Sequence, residues 1–120
     1  MPPSSLKITE REVGDVTILS LTGQIRLDDG DVEILRRVGA LGARGQFKII
    51  LDVGGVTYMD SAGVGMLASI VKKLRASHGD MKLLNLTSRG QRVLSTMKLH
   101  LIFDEFDSEE AALKSFDAKS

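Results

Sequence analysis

Apolar and polar residues along the chain follow two different periods, and each change of period predicts a new element. Weak alternation over Leu6–Glu12 and a β-branched run over Val16–Leu21 predict two strands. The intervening Gly14-Asp15 is typical of a hairpin turn, so the chain is expected to open with an antiparallel pair. A further short strand is predicted over Gly23–Leu27.

Helical spacing first appears in the next segment. Acidic residues within 28–31 offer a helix cap, and Gly42 and Gly45 offer an end for the helix. The apolar residues between them recur every three positions and are expected to face the core: Val32, Leu35, Val38 and Leu41.

The segment 49–74 joins a predicted buried strand to a predicted amphipathic helix. Ile49–Val53 is an apolar run, and residues 54–61 are expected to carry the chain out of the strand. A helix then begins at or beside Ser61. Its apolar positions are expected to form one stripe that faces the core: Val64, Leu67, Ile70, Val71 and Leu74. Ser61 therefore stands at a strand-to-helix corner, where its hydroxyl either caps the helix or helps to hold an anion.

The rest of the chain continues the alternation of strands and helices. Met81–Leu86 and Leu101–Phe106 predict strands, and Ser88 with Gln91 predicts a capped short helix. A capping pattern that starts at Asp107 predicts the last helix. A hairpin followed by this alternation predicts one α/β domain with a mixed, mostly parallel β-sheet and about four α-helices. We expect the domain to span residues 4–117, with flexible termini at 1–3 and 118–120.

Composition narrows the possible partners. Among the 120 residues, 16 basic residues balance 16 acidic ones, which argues against nucleic acid or an anionic membrane as a partner. The absence of cysteine excludes disulfides and thiolate metal sites, and the two histidines are far apart in the sequence, so neither a metal nor a cofactor is expected. Because no signal peptide or membrane span is recognisable, we expect a cytoplasmic location without direct membrane insertion.

The spacing of residues around Ser61 argues against two catalytic interpretations of this corner. A hydrolase nucleophile at Ser61 would need G-x-S-x-G, but Met59 occupies the first glycine position, and only His78 and His100 are candidate histidine bases. Residues 63–68 match the dinucleotide fingerprint G-x-G-x-x-A, but its glycines are expected inside the helix rather than in the turn before it. We therefore expect no enzymatic activity.

Gly63 and Gly65 are unusual inside a predicted helix, because a glycine there costs about 1 kcal/mol relative to alanine. One explanation is close packing of the first helical turn on the end of the strand. The other is an accessible backbone at which the active site of another protein reaches Ser61. The residues alone leave both explanations open.

The segment 60–65, DSAGVG, follows the strand 49–53, IILDV, in an order that strongly resembles the core of the STAS domain. This family is named for sulphate transporters and anti-sigma factor antagonists. Gly23, the pair Val56 and Tyr58, the strand 81–85 and the closing segment 103–116 also fall in family order. The resemblance covers nearly the whole chain, and it points to the free-standing bacterial anti-sigma factor antagonists.

That resemblance implies a partner switch. In such proteins the serine that matches Ser61 is phosphorylated by a serine kinase that is itself the anti-sigma factor, and a PP2C-type serine phosphatase restores it. Unphosphorylated protein would bind the kinase and displace its sigma factor, and phosphorylated protein would release the kinase. A monomer is the simplest expectation. The resemblance implies partner contacts around Ser61, at Gly23, Arg26, Asp28, Asp60, Ala62, Gly63, Val64, Gly65 and Met66.

Three of these residues keep an alternative role. Asp60 is expected either to cap the helix or to take part in kinase recognition. Val64 has the spacing of a core residue as well as a place beside Ser61. Many family members have an acidic residue where this chain has Arg26, and this arginine either is solvated at the surface or pairs with a phosphate on Ser61.

Two other classes of function remain open. One is a non-enzymatic STAS scaffold or a soluble subunit of a signalling, lipid-transport or anion-transport complex. The other is a small-ligand or nucleotide-binding domain, which has only the generic α/β pattern and the glycine fingerprint in its favour. Co-sedimentation with a kinase rather than a transporter would separate the switch from the first class, and the effect of nucleotides on thermal stability would test the second.

Overall fold

The computed structural model describes residues 5–117, so the expected flexible ends at 1–3 and 118–120 lie outside the described residues. Strands and helices alternate along the described part after an opening hairpin. In order, the elements are β1 (Leu6–Val13), β2 (Val16–Ile25), α1 (Gly30–Gly42), β3 (Lys48–Met59), α2 (Ser61–Ala76), β4 (Asp80–Leu84), α3 (Ser88–Thr96), a 3-10 helix (Leu99–Leu101), β5 (Glu105–Phe106) and α4 (Glu109–Asp117). No helix in this part of the chain is long and apolar enough to cross a membrane.

The strands form one five-stranded sheet whose spatial order follows the sequence order from β1 to β5. β1 and β2 are antiparallel, with Val13 opposite Val16 beside the hairpin turn, and the later neighbours are parallel. Gly14 adopts a φ of 62° in that turn, a left-handed conformation that glycine reaches without a side-chain clash. The prediction of an α/β domain with a mixed sheet and an opening hairpin is confirmed.

Helices cover both faces of the sheet, which explains why β3 is so apolar. Ile49 and Leu51 belong to the main core with residues of α1, α2 and α3. Ile50 points to the other face and packs with Ala112 and Phe116 of α4. A strand that is buried on both faces needs no polar alternation, as is typical of parallel sheets.

Two predicted strand boundaries were wrong because neighbouring strands extend each other. The residues from Gly23 to Leu27 do not form a separate strand, since β2 continues as far as Ile25. β3 does not end at Val53 but continues to Met59, because its second half pairs with the end of β2. Register shifts in this second half let the paired strands bend without separating.

The helices were predicted in the right number, but two caps were assigned to the wrong residue. Thr87, not Ser88, caps α3, because its hydroxyl accepts from the backbone N–H of Gly90 at 3.1 Å. Ser108, not Asp107, supplies the side-chain oxygen that accepts a first-turn N–H of α4 at 3.0 Å. Adjacent residues with similar capping side chains compete for this position, and the path of the chain into the helix decides between them.

Two apolar residues expected in regular, buried positions are exposed. Val32 is 47% exposed, because Ile34 and Val38 define the side of α1 that faces the core. Leu101 is 82% exposed and belongs to the 3-10 helix rather than to a strand. The predicted strand shortens to Glu105–Phe106, since only these two residues pair with β4.

Candidate functional site

Ser61 is the first residue of α2 and is exposed at the corner between β3 and this helix. The helix is capped by Asp60, whose Oδ1 accepts from the backbone N–H of Gly63 at 2.7 Å. The capping role expected of Asp60 is therefore confirmed. The Ser61 hydroxyl forms no hydrogen bond with another described residue, so the helix does not depend on it.

The second oxygen of the Asp60 carboxylate fastens a neighbouring loop to the same corner. Its Oδ2 accepts from the backbone N–H of Leu27 at 3.1 Å. The Asp60 N–H donates to the carbonyl oxygen of Ile25, also at 3.1 Å. Residues 26–29, which connect β2 to α1, are thereby held beside Ser61.

The two glycines of the first helical turns have different roles. A Cβ on Gly63 would lie 2.9 Å from both Cγ2 and the carbonyl oxygen of Ile25, so the close packing of α2 on the end of β2 requires glycine there. A Cβ on Gly65 would meet no atom within 4 Å. Gly63 thus supports the packing explanation, whereas Gly65 leaves open space one helical turn after Ser61.

The other residues near the start of α2 divide between surface and core. Ala62 is exposed, and Met66 is half-buried against the main core. Val64 has no exposed surface and packs in that core. The core alternative for Val64 is therefore the right one, and the partner contact predicted for it is corrected, because its side chain is not accessible.

Gly23 lies near the end of β2, and Asp28 lies in the loop beside Ser61 that follows this strand. Gly23 has a φ of 120°, and a Cβ there would lie 2.1 Å from the carbonyl oxygen of Ser5, so only glycine allows β1 to begin so close to β2. Asp28 also has a left-handed backbone, with a φ of 59°, and its side chain is exposed. Gly23 therefore has a structural role, while Asp28 presents a carboxylate to solvent.

Arg26 lies over an aromatic ring of the same corner. Its guanidinium carbon is 4.9 Å from the ring centroid of Tyr58, near the end of β3. No described carboxylate forms an ion pair with Arg26. This contact holds the guanidinium over the ring, and both alternatives for Arg26, a solvated surface role and pairing with a phosphate on Ser61, stay predictions.

Arg92 also belongs to this corner, although no pattern in the sequence singles it out. A depression of about 190 Å³ lies between the start of α2 and α3. Its lining residues are Ser61, Arg92, Val93, Thr96 and Met97. No local signal could have found Arg92, because the approach of α3 to the start of α2 is a tertiary contact.

Neither catalytic alternative fits this geometry. His78 follows the far end of α2, and His100 lies two residues before Ile102, whose carbonyl accepts from Arg75 near that same end at 2.6 Å. A rise of 1.5 Å per residue places this end of the helix about 20 Å from Ser61, too far for a histidine there to act as its base. Both glycines of the fingerprint lie within α2 rather than in the turn that precedes it, which excludes a dinucleotide loop of that type.

Exposed apolar side chains adjoin the corner. Leu27 is 57% exposed in the loop after β2, and Tyr58 is 37% exposed near the end of β3. The exposed Val32 follows in the first turn of α1, directly after that loop. Exposed apolar side chains on adjoining segments are candidates for an interaction site, and we name these three residues the corner patch.

Comparisons with known proteins identify the family. A model of the STAS domain matches residues 7–112. The chain is also 25% identical over 111 residues to BtrV of Bordetella bronchiseptica, whose name describes it provisionally as an anti-sigma factor antagonist. That alignment covers 92% of this chain and 95% of BtrV.

Solved structures share the fold. A Thermotoga maritima protein, provisionally described as an anti-sigma factor antagonist, has a TM-score of 0.83 at 24% identity, with 92% of this chain and 94% of that chain covered. The anti-sigma factor antagonist SpoIIAA in its unphosphorylated form has a TM-score of 0.78 at 21% identity, with 93% and 97% covered. SpoIIAA of Bacillus in its phosphorylated form has a TM-score of 0.69 at 22% identity, with 91% and 98% covered. Because the family model matches most of its length, this chain belongs to the STAS domain family.

Proposed function

We propose that this protein is an anti-sigma factor antagonist, which binds an anti-sigma factor serine kinase and thereby frees the sigma factor that the kinase holds. The kinase switches the protein off by phosphorylating Ser61, and a PP2C-type serine phosphatase resets it. The protein acts as a monomer in the cytoplasm, without nucleic acid or membrane as a direct partner. The family and the names of BtrV and SpoIIAA support the antagonist role, and the phosphorylated form of SpoIIAA supports the switch.

The observation that carries the proposal is the free hydroxyl of Ser61. It is exposed at the first residue of α2 and forms no hydrogen bond with another described residue. Since Asp60 already caps the helix, transfer of a phosphoryl group to Ser61 leaves the cap in place. The exposed Ala62 and the open space at Gly65 leave room for the active site of a kinase.

Phosphorylation changes the charge of the corner more than it changes the fold. A phosphate adds about −1.5 to −2 charges, which the free N–H groups at the start of a helix accommodate. A carboxylate of the kinase near this phosphate would be repelled by a few kcal/mol at an intermediate dielectric constant. Because about 1.4 kcal/mol corresponds to a tenfold change in affinity, repulsion of this size weakens binding about a hundredfold or more.

The surface that meets the kinase is proposed to include the corner patch and the loop beside it. Leu27 and Tyr58 supply exposed apolar area, and Arg26 and Asp28 supply charges of opposite sign around it. An apolar centre with a polar rim is the usual anatomy of a protein interface. Since the loop is fastened to Asp60, the proposed contact surface and Ser61 are held together as one unit.

A phosphorylation assay with two matched serines tests the proposal. Ser61 and Ser88 are both exposed first residues of an α-helix, and each follows the residue that caps its helix. Wild type, Ser61→Ala and Ser88→Ala would be incubated with ATP and candidate anti-sigma kinases, and their intact masses measured. We expect one added phosphate on wild type and on Ser88→Ala, none on Ser61→Ala, and about a hundredfold weaker kinase binding after phosphorylation.

Two results would contradict the proposal. A phosphate on Ser61→Ala would place the modification elsewhere, and unchanged kinase binding after phosphorylation would remove the switch. If no candidate kinase modifies or binds the folded protein, the alternative of a STAS scaffold or a soluble transport subunit gains support. Co-sedimentation with a transporter complex would then be the next measurement.

A further inference from the structure

The arginines of this chain differ in whether a carboxylate neutralises them. Five of the eight form an ion pair with a described aspartate or glutamate: Arg11, Arg36, Arg37, Arg44 and Arg75. The remaining three, Arg26, Arg89 and Arg92, form no ion pair within the described part of the chain. Because an arginine is always charged, these three keep a positive charge available for an outside group.

All three unpaired arginines lie around the phosphorylation site. Arg26 belongs to the loop that Asp60 fastens, and Arg89 reaches the carbonyl oxygen of Thr57 at 3.5 Å. Arg92 lines the depression that Ser61 also lines. The five paired arginines have their carboxylates within 4 Å, so the unneutralised guanidinium groups are concentrated at this corner.

Arg92 is the best placed of the three to receive a phosphate on Ser61. The guanidinium groups of Arg26 and Arg89 already have a partner, a ring in the first case and a backbone carbonyl in the second. Within the described part of the chain, the Arg92 guanidinium has no contact of either kind, and no other charged residue lines the depression. Val93 and Met97 are half-buried and make part of that lining apolar.

We propose that Arg92 binds the phosphate of phosphorylated Ser61 within the same molecule. This inference rests on the proposed phosphorylation of Ser61. A guanidinium binds two phosphate oxygens at once, which a lysine cannot do in the same geometry. The bound phosphate covers Val93 and Met97, so phosphorylation alters the shape of the surface as well as its charge.

The test uses phosphoserine that is genetically encoded at position 61, so that it does not depend on a kinase. Phosphorus NMR would follow the second pKa of the phosphate in otherwise wild-type protein, Arg92→Gln, Arg92→Lys and Arg26→Gln. We expect Arg92→Gln to raise this pKa by about half a unit or more, because a nearby guanidinium favours the dianion. Arg92→Lys should give a smaller rise, and Arg26→Gln should stay close to the unsubstituted phosphoprotein.

The charges near the phosphate that these variants leave unchanged do not disturb the comparison. Asp60 and Asp28 oppose the dianion and Arg89 favours it, but all three are the same in every variant. Equal pKa values in Arg92→Gln and the unsubstituted phosphoprotein would overturn the inference, and so would a rise confined to Arg26→Gln. Equal melting temperatures of the unphosphorylated forms check that the exposed substitutions leave the fold intact.

The result of the NMR titration does not depend on whether a kinase modifies the protein. Failure of the kinase assay removes the proposed switch, whereas failure of the NMR titration removes only the role of Arg92. A rise in Arg92→Gln with no kinase found would still establish a phosphate-binding arginine beside Ser61.

Discussion

Asp60 shows how one side chain organises the candidate site. One carboxylate oxygen caps α2 through Gly63, and the other holds the loop after β2 through Leu27. An aspartate before a helical pattern is a recognisable cap in the sequence. The bond to Leu27 joins residues that are 33 positions apart, so no local pattern could have predicted it. The free hydroxyl of Ser61 follows from this arrangement, because the cap is provided by its neighbour.

The two glycines in the first turns of α2 allow a matched pair of substitutions. Gly63→Ala should destabilise the protein by about 1–3 kcal/mol, because the new Cβ would press on Ile25. Gly65→Ala should stabilise it by about 0.5–1 kcal/mol, since the site is open and alanine loses less backbone entropy in a helix. Urea denaturation of both variants measures the difference. Equal changes in the free energy of unfolding would show that packing against Ile25 is not the reason for glycine at position 63.

Between secondary-structure elements, a charge cluster centred on a buried lysine joins β4 to the segment before β5. Lys82 is fully buried, and its Nζ lies 3.3 Å from Asp80 Oδ2 and 2.9 Å from Asp104 Oδ2. The same ammonium group is 4.9 Å from the ring centroid of Phe116 on α4. The side chain of Lys82 lies on the face of β4 that α4 covers. Asp80 of the same strand is one partner, and Asp104 becomes the second once the segment before β5 has packed beside β4.

Replacement of this lysine should therefore cost much more than replacement of a surface lysine. Lys82→Met keeps most of the volume but removes the cation that Asp80 and Asp104 share. Because Asp80 keeps its ion pair with Arg75 and Asp104 is half-exposed, we expect a loss of about 1–3 kcal/mol. The control is Lys114→Met, which removes an exposed pair with Glu110 and should cost about 0.5 kcal/mol or less. Chemical denaturation compares the two. A loss at Lys82 as small as that at Lys114 would refute a structural role for the cluster.

Across the whole molecule, the proposed contact surface lies at the start of α2, and the surface near the end of α2 is not part of it. Leu27 is held beside Asp60 at the start of the helix. Leu101 precedes Ile102, which Arg75 contacts near the end of the helix. Since α2 has 16 residues, its two ends are about 20 Å apart, and the two exposed leucines lie on separate parts of the molecule.

The two leucines provide a test of which end meets the anti-sigma factor. Leu27→Ser should weaken binding to the kinase by about tenfold or more, because it removes apolar area from the corner patch. Leu101→Ser should leave binding unchanged, although this leucine is the more exposed of the two. Calorimetry with the unphosphorylated protein measures both, and each variant should keep its stability within about 0.5 kcal/mol. Equal losses would indicate that the surface around Ser61 is not the contact site.

Local patterns accounted for most of the fold. The hairpin over Gly14, the helix that begins at Ser61 and the apolar β3 all follow from short-range periodicity and turn chemistry, which nearby residues carry by themselves. The ends of helices and strands were predicted less accurately. The end of β3 at Met59 depends on pairing with β2, and the cap at Thr87 depends on how the chain leaves β4.

Within the candidate site, the local sequence was enough to predict the serine that we propose as the phosphorylation site, its place at a strand-to-helix corner and the capping aspartate beside it. These features are local, because a helix start is encoded in a few consecutive residues. The inaccessibility of Val64, the packing of Gly63 on Ile25 and the depression that Arg92 shares with Ser61 became visible only in the folded domain. The physical reason is that burial and close approach arise from segments far apart in the chain, and they exist only after the sheet and its helices have packed together.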